Sequence, residues 1–193
     1  MTSPLSRQAY ALAGLAVLLA IGPANARPWT IDRGASEIRF ETTALGAPVE
    51  GVFGEWFATI TFDASNLAAA QAIVLIDLTS VDTQDATRDE TLRGPDWFDT
   101  GAHPQARLVS TAFHEADGGG FVMDANLTIR GQARGIRLPF TLTETGDGDA
   151  VRAQGMVTID RTAFGVGQGE FVGDSTVALE VTISIDISAS IDT

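Results

Sequence analysis

The sequence predicts an all-β, antiparallel fold with one short helix, and three observations predict it. From Trp29 onward apolar and polar residues alternate with a period of two, as they do on strands that bury one face. Clusters of Gly and Asp separate these runs, and such residues accept the positive φ values of tight hairpins. Only one stretch, Thr83 to Arg93, is polar, charge-rich and tolerant of helix.

The first 26 residues read as a leader rather than as part of the fold. Arg7 is followed by the apolar run Ala11 to Ile21, then Pro23 and the small-residue site Ala24-Asn25-Ala26. That order of charge, apolar core and cleavage site is a secretory signal peptide. The run is about half of the roughly 20 residues a membrane span needs. Residues 27–193 then form one domain, long enough to bury a core and not membrane-spanning. All 12 basic residues are Arg; without Arg7, eleven stand against 25 acids, a formal charge of −14. Such a surface repels phosphate backbones, which excludes nucleic acid as a partner. There is no cysteine, so thiol nucleophiles, iron–sulfur clusters and thiolate zinc sites are excluded.

In chain order, Ile38, Phe40 and Thr42 give a short alternation, and Trp56, Ala58, Ile60 and Phe62 a longer one. Ile73 to Val81 is apolar on both faces for its first half. Thr83 is placed to cap the helix, and Gly94-Pro95 to stop it. Leu108 to Phe113 is a weak strand. Phe121 to Ile129, Ile136 to Leu142 and Val151 to Ile159 alternate well, with turns at Asp117 to Gly120, Arg130-Gly131 and Gly146 to Asp149. The last run is the clearest: Val177, Leu179, Val181, Ile183, Ile185 and Ile187 face one way, and Thr176 to Ser188 in even positions the other. About eight such strands close into a barrel or pack as a sandwich, and periodicity alone leaves both open.

Signals for catalysis are thin, so no catalytic residue and no metal site is assigned. His103 and His114 stand outside any H-E-x-x-H pattern, and Ser36, Ser110 and Ser175 lack a G-x-S-x-G setting. Asp77, Asp82, Asp85 and Asp89 are spaced too loosely for a calcium loop, and Gly165-x-Gly167-x-Gly169 lacks the helix a phosphate loop needs.

Five segments in order carry a family resemblance. Trp29-Thr30-Ile31-Asp32 with Ser36-x-Ile38-x-Phe40, then Gly51-x-Phe53 with Ile60-x-Phe62-Asp63, resemble the opening of the YceI, or polyisoprenoid-binding, family. Arg88-Asp89-x-x-Leu92 with Asp96-x-Phe98-Asp99 and Pro104 resembles its centre. Leu127-Thr128-Ile129-x-Gly131 and Asp160-Arg161-x-x-Phe164-Gly165 resemble its end. The resemblance implies a lipocalin-like, eight-stranded antiparallel barrel with an apolar pore, a periplasmic location, and a long-chain amphiphile such as a polyisoprenoid, quinone or quinone precursor as ligand. No other cofactor is implied. Trp97 stands where the family often has Phe, and Glu90 where it often has a small residue or His. Both are expected at the pore mouth.

The large apolar side chains available to such a pore are Phe40, Phe53, Trp97, Phe98, Phe140 and Phe164, although ordinary core packing also accounts for each. Arg130, Arg134 and Arg137 fall close enough in sequence to meet a headgroup, or to be solvated hairpin charges. Arg88, Asp89 and Arg161 read as structural. Burial at about 0.8 kcal/mol per CH₂ would bind a long chain tightly. Two further readings remain at this point: an accessory module of a membrane redox system, or a small-substrate enzyme using the same cavity. A homodimer is left open.

Overall fold

The computed structural model describes residues 27–145 and 150–191; the leader expected at 1–26 and the turn expected at Gly146 to Asp149 lie outside the described residues. Ten strands form one antiparallel sheet: β1 (Arg27–Ala44), β2 (Ala47–Phe53), β3 (Trp56–Phe62), β4 (Gln71–Asp77), β5 (Val81–Asp82), β6 (Gln105–Glu115), β7 (Phe121–Ile129), β8 (Gln132–Thr145), β9 (Ala150–Asp160) and β10 (Glu180–Ile191). Helix α1 spans Ala86–Arg93.

Eight of the strands close on themselves. The order runs β10-β9-β8-β7-β6-β4-β3-β1, and β1 pairs again with β10 from Trp29↔Ile191 to Glu41↔Thr182. The lipocalin-like barrel with one helix is therefore the observed architecture, which alternation alone could not choose. β2 and β5 lie outside the closed ring, since β2 pairs with the far end of β1 and β5 with the end of β2.

The strand positions follow the period-two pattern, with instructive departures. β3 and β7 have the bounds of their alternating runs. The Ile73 to Val81 run is not one strand: Leu78–Ser80 forms a 3-10 turn, because the Asp77 carboxylate accepts from the Thr79 N–H and ends the extended chain. Thr83 does not cap α1. Gln84 has φ 62, which no right-handed helix contains, and the cap is Asp85, which accepts from the N–H groups of Thr87 and Arg88. Thr83 instead donates its N–H and hydroxyl to the buried Asp89. The last strand begins at Glu180 rather than Thr176, because Ala178 N–H donates to Thr43 O and Leu45 N–H to Thr176 O, holding 176–179 against the end of β1.

The β6–β7 ladder is shifted between Ser110 and Ala112, and the ring is uneven in two further places. β1 bulges between Asp32 and Glu37, and it pairs with β3 only before that stretch, at Arg27↔Phe62 and Pro28↔Thr61. Arg33 spans that gap, donating to Gly54 O at 3.0 Å and lying 4.3 Å from the Trp56 ring centroid. Between β8 and β9 pairing stops at Phe140↔Gly155. Pro139, next in line, has no N–H for a ladder. From there Gln132 to Pro139 pairs only with β7, and the rest of β9 only with β10.

Candidate ligand-binding site

Inward-facing residues of all eight barrel strands enclose two adjoining apolar cavities. The lower, about 120 Å³, is lined by Trp29, Trp56, Phe62, Phe113, Met123 and Phe140 together with aliphatic side chains. The upper, about 100 Å³, is lined by Phe40, Phe53, Trp97, Phe98 and Phe164 together with aliphatic side chains, Thr42 and Arg161. Ile38, Ile76, Leu127 and Ile183 line both, and so form the waist between them.

Each end is filled. At the lower end Phe62 lies 5.1–5.8 Å, centroid to centroid, from Trp29, Phe113, Phe121 and Phe140, mostly edge to face. At the upper end Phe53 meets Phe40 at 5.5 Å and Phe98 at 6.0 Å, under α1. The β9–β10 crossing closes the rest of that end. Arg161, 2% exposed, holds it: Nε donates to Ala178 O, Nη1 to Val166 O, and Nη2 to the carbonyls of Phe171, Gly173 and Val177. Burial pushes its pKa down, partly offset by Asp160. Its guanidinium lies 5.4 Å from the Trp97 ring centroid. Arg161, read as structural from the sequence, thus holds the whole crossing together.

All six aromatic pore candidates line a cavity, five the upper and Phe140 the lower. Of the two departures from the family pattern, Trp97 lines the upper cavity. Glu90 does not sit at a mouth: its side chain is 85% exposed beside Arg93 on the outer face of α1. Reasoning from sequence missed the waist residues and the lower-end partners of Phe62. The alternation of β1, β4, β7 and β10 carried that signal but did not give their height in the barrel.

The three arginine candidates separate. Arg130 and Arg134 line one open polar recess of about 330 Å³ with His103, Gln132, Thr162, Ala163, Phe164, Gly165 and Gln168. Arg130 and Gly131 both have positive φ, 49 and 72, which makes the β7–β8 connection a type I′ hairpin. That turn sets Arg130 against the 95–97 segment, where Nη1 donates to Pro95 O at 2.6 Å and to Trp97 O. Arg137 is elsewhere. It points outward from β8, 73% exposed, and its Nε meets Asp124 at 3.1 Å, an oxygen pair that also receives His114 at 2.9 Å. Among the described residues, no group of three His, Asp or Glu is placed to hold a metal ion, and no helix is long and apolar enough to cross a membrane.

A YceI-like domain model matches residues 29–189. The chain belongs to the YceI-like family. Protein YceI of Escherichia coli is 34% identical over 134 residues, which is 68% of this chain and 70% of that protein. The crystal structure of BcnA from Burkholderia cenocepacia superposes with a TM-score of 0.79 at 33% identity, covering 83% of this chain and all of that one. A polyisoprenoid-binding domain from Saccharophagus degradans shares the fold, with a TM-score of 0.61 at 14% identity, covering 87% of this chain and all of that domain. This YceI-like chain thus has bacterial relatives and the barrel its five ordered segments implied.

Proposed function

We propose that this YceI-like protein is a periplasmic carrier or buffer that sequesters a long-chain amphiphile, of which a polyisoprenoid or a quinone-like lipid is the best fit. The observation that carries this reading is the pair of carbon-lined cavities joined at one waist inside a closed barrel. Transfer of apolar surface out of water drives the binding, and chain length sets how much is gained. The shared fold of the polyisoprenoid-binding domain and the leader-like segment at 1–26 support the ligand class and the compartment. No redox or turnover chemistry is needed for sequestration, and the exposed His114–Asp124 pair stands on the outer wall away from both cavities.

The cavities together fall below the roughly 300–1,000 Å³ of ordinary small-molecule pockets. Cargo therefore enters by displacing lining side chains. The polar end of the amphiphile stays at the Arg130–Arg134 recess, while the tail runs through the waist.

The test is extraction of protein purified from its native compartment with organic solvent, followed by mass spectrometry, together with uptake of added prenyl alcohols. A stoichiometric long-chain lipid, or saturable uptake, supports the reading. Empty protein that takes up no added lipid overturns it.

A further inference from the structure

We infer that the amphiphile enters this barrel from the side, between β8 and β9, with Phe164 as the door and the Arg130–Arg134 recess as the seat of its polar end. The inference rests on the carrier reading and adds the route and the gating residue.

Four observations converge on that place. Neither end offers a route, since the lower is packed with five aromatic rings and the upper is closed by Phe98, α1 and the crossing that Arg161 holds. Of the two interruptions in the wall, the β1–β3 gap is bridged by Arg33 to Gly54 O and Trp56. The β8–β9 interruption has no ladder bond beyond Phe140↔Gly155, so widening it breaks no backbone pairing. Finally, Phe164 is the one residue that lines both the upper cavity and the open recess. Phe164 is 2% exposed and stands where the apolar hollow and the open recess adjoin.

The local chain suits a door. Phe164 ends the 3-10 turn Arg161–Phe164, and Gly165 follows in the left-handed region at φ 71, which glycine adopts without strain. The base of the turn is fixed by Arg161 and by Asp160, whose carboxylate accepts from the N–H and hydroxyl of Thr162. Gly165 N–H to Thr162 O and Val166 N–H to Arg161 O hold the backbone on its other side, so the door opens by rotation of the Phe164 side chain. Outside the door the chemistry changes sign. None of the nine residues lining the recess is acidic, in a chain whose formal charge is −13. Neither Arg130 nor Arg134 has a carboxylate partner among the described residues; both donate only to backbone carbonyls. Two guanidiniums flanked by the amides of Gln132 and Gln168 suit an oxygen-rich headgroup, a hydroxyl, carbonyl or phosphate, that accepts hydrogen bonds.

The absence of cysteine permits a direct test. Ala163→Cys places a thiol in the recess beside the door, and Ala64→Cys places one on the exposed loop after β3, at the aromatic end. Each variant of the full mature chain is labelled with a bulky maleimide, and its thermal melt is checked against unlabelled protein. Uptake of a brominated long-chain alcohol is followed by quenching of Trp29, Trp56 and Trp97. The label at Ala163→Cys is expected to slow uptake by about tenfold or more, with the label at Ala64→Cys leaving the rate unchanged. Phe164→Leu, which narrows the door leaf without removing it, is expected to speed uptake. Equal rates for labelled and unlabelled Ala163→Cys, or slowing by the Ala64→Cys label instead, overturn the side entry while the carrier reading stands. Failure of the unlabelled protein to take up the alcohol at all overturns the carrier reading and the route with it.

Discussion

Gly51 lies directly across from Phe40 in the β1–β2 ladder, and a Cβ at Gly51 would sit 2.4 Å from the Phe40 Cζ and 2.9 Å from the Thr83 methyl. The ring occupies the space a side chain would need. Gly51→Ala is expected to overpack the upper cavity at a cost of about 1–3 kcal/mol, lowering Tm by about 2–4 °C for each kcal/mol. A melt within 1 °C of the parent would show that the ring yields freely.

The waist gives a length test. Ile183 lines both cavities, so a larger side chain there separates them. Ile183→Phe is expected to leave uptake of a short prenyl alcohol nearly unchanged and to weaken that of a long one by about tenfold, as a tail confined to one cavity loses several buried CH₂ groups at about 0.8 kcal/mol each. Binding titrations with a chain-length series measure this.

Arg161 serves five carbonyls of the crossing with one side chain. Arg161→Gln removes most of those donors, and each buried acceptor left unpaired costs about 1–3 kcal/mol. A loss of about 3 kcal/mol or more is expected in denaturant unfolding, with the 161–179 segment the first to exchange amide hydrogens.

The base of the same crossing responds to pH. The hydrogen bond from Thr162 holds the Asp160 carboxyl below its ordinary range, with further help from backbone N–H groups and Arg161 against the cost of burial. A lowered folded value means that the ionised form stabilises the fold at neutral pH, and that this contribution is lost as pH falls from about 4 through the lowered value. The Tm difference between parent and Asp160→Ala should therefore be full at pH 7 and shrink below about pH 4. A constant difference across that window would refute the linkage.

How much of this was legible in the sequence depended on whether a feature repeats locally. β3 and β7 could be read to the residue because their alternation is uninterrupted between turns. The helix start was misplaced by a side-chain competition: Thr83 and Asp85 are both good caps, and only the fold shows that Thr83 is engaged by Asp89, six residues on. The aromatic candidates were found because large apolar residues at inward positions have few other places to go. The arginine cluster was half legible. Arg130 and Arg134 meet around a hairpin, but Arg137 is separated from them by strand parity and finds Asp124 on the neighbouring strand, a cross-strand pairing that no local reading of β8 discloses. The shared position of Phe164 depends on where pairing between β8 and β9 stops, which is likewise a property of two strands together.

Closure joins the opening strand to the final one: the Ser36 hydroxyl oxygen accepts from the Ser188 N–H, 152 positions apart, while its own proton goes to Asp32 O. A chain emerging in order cannot complete that seam until its last segment is free. Folding is thus expected to be slow and post-translational, because loop closure over nearly the whole chain must precede the contacts that reward it. Until then β1 and β9 each present a bare edge that another chain could pair with, so a nascent molecule benefits from a holding chaperone, and loss of the final strand should yield aggregates rather than a smaller soluble barrel.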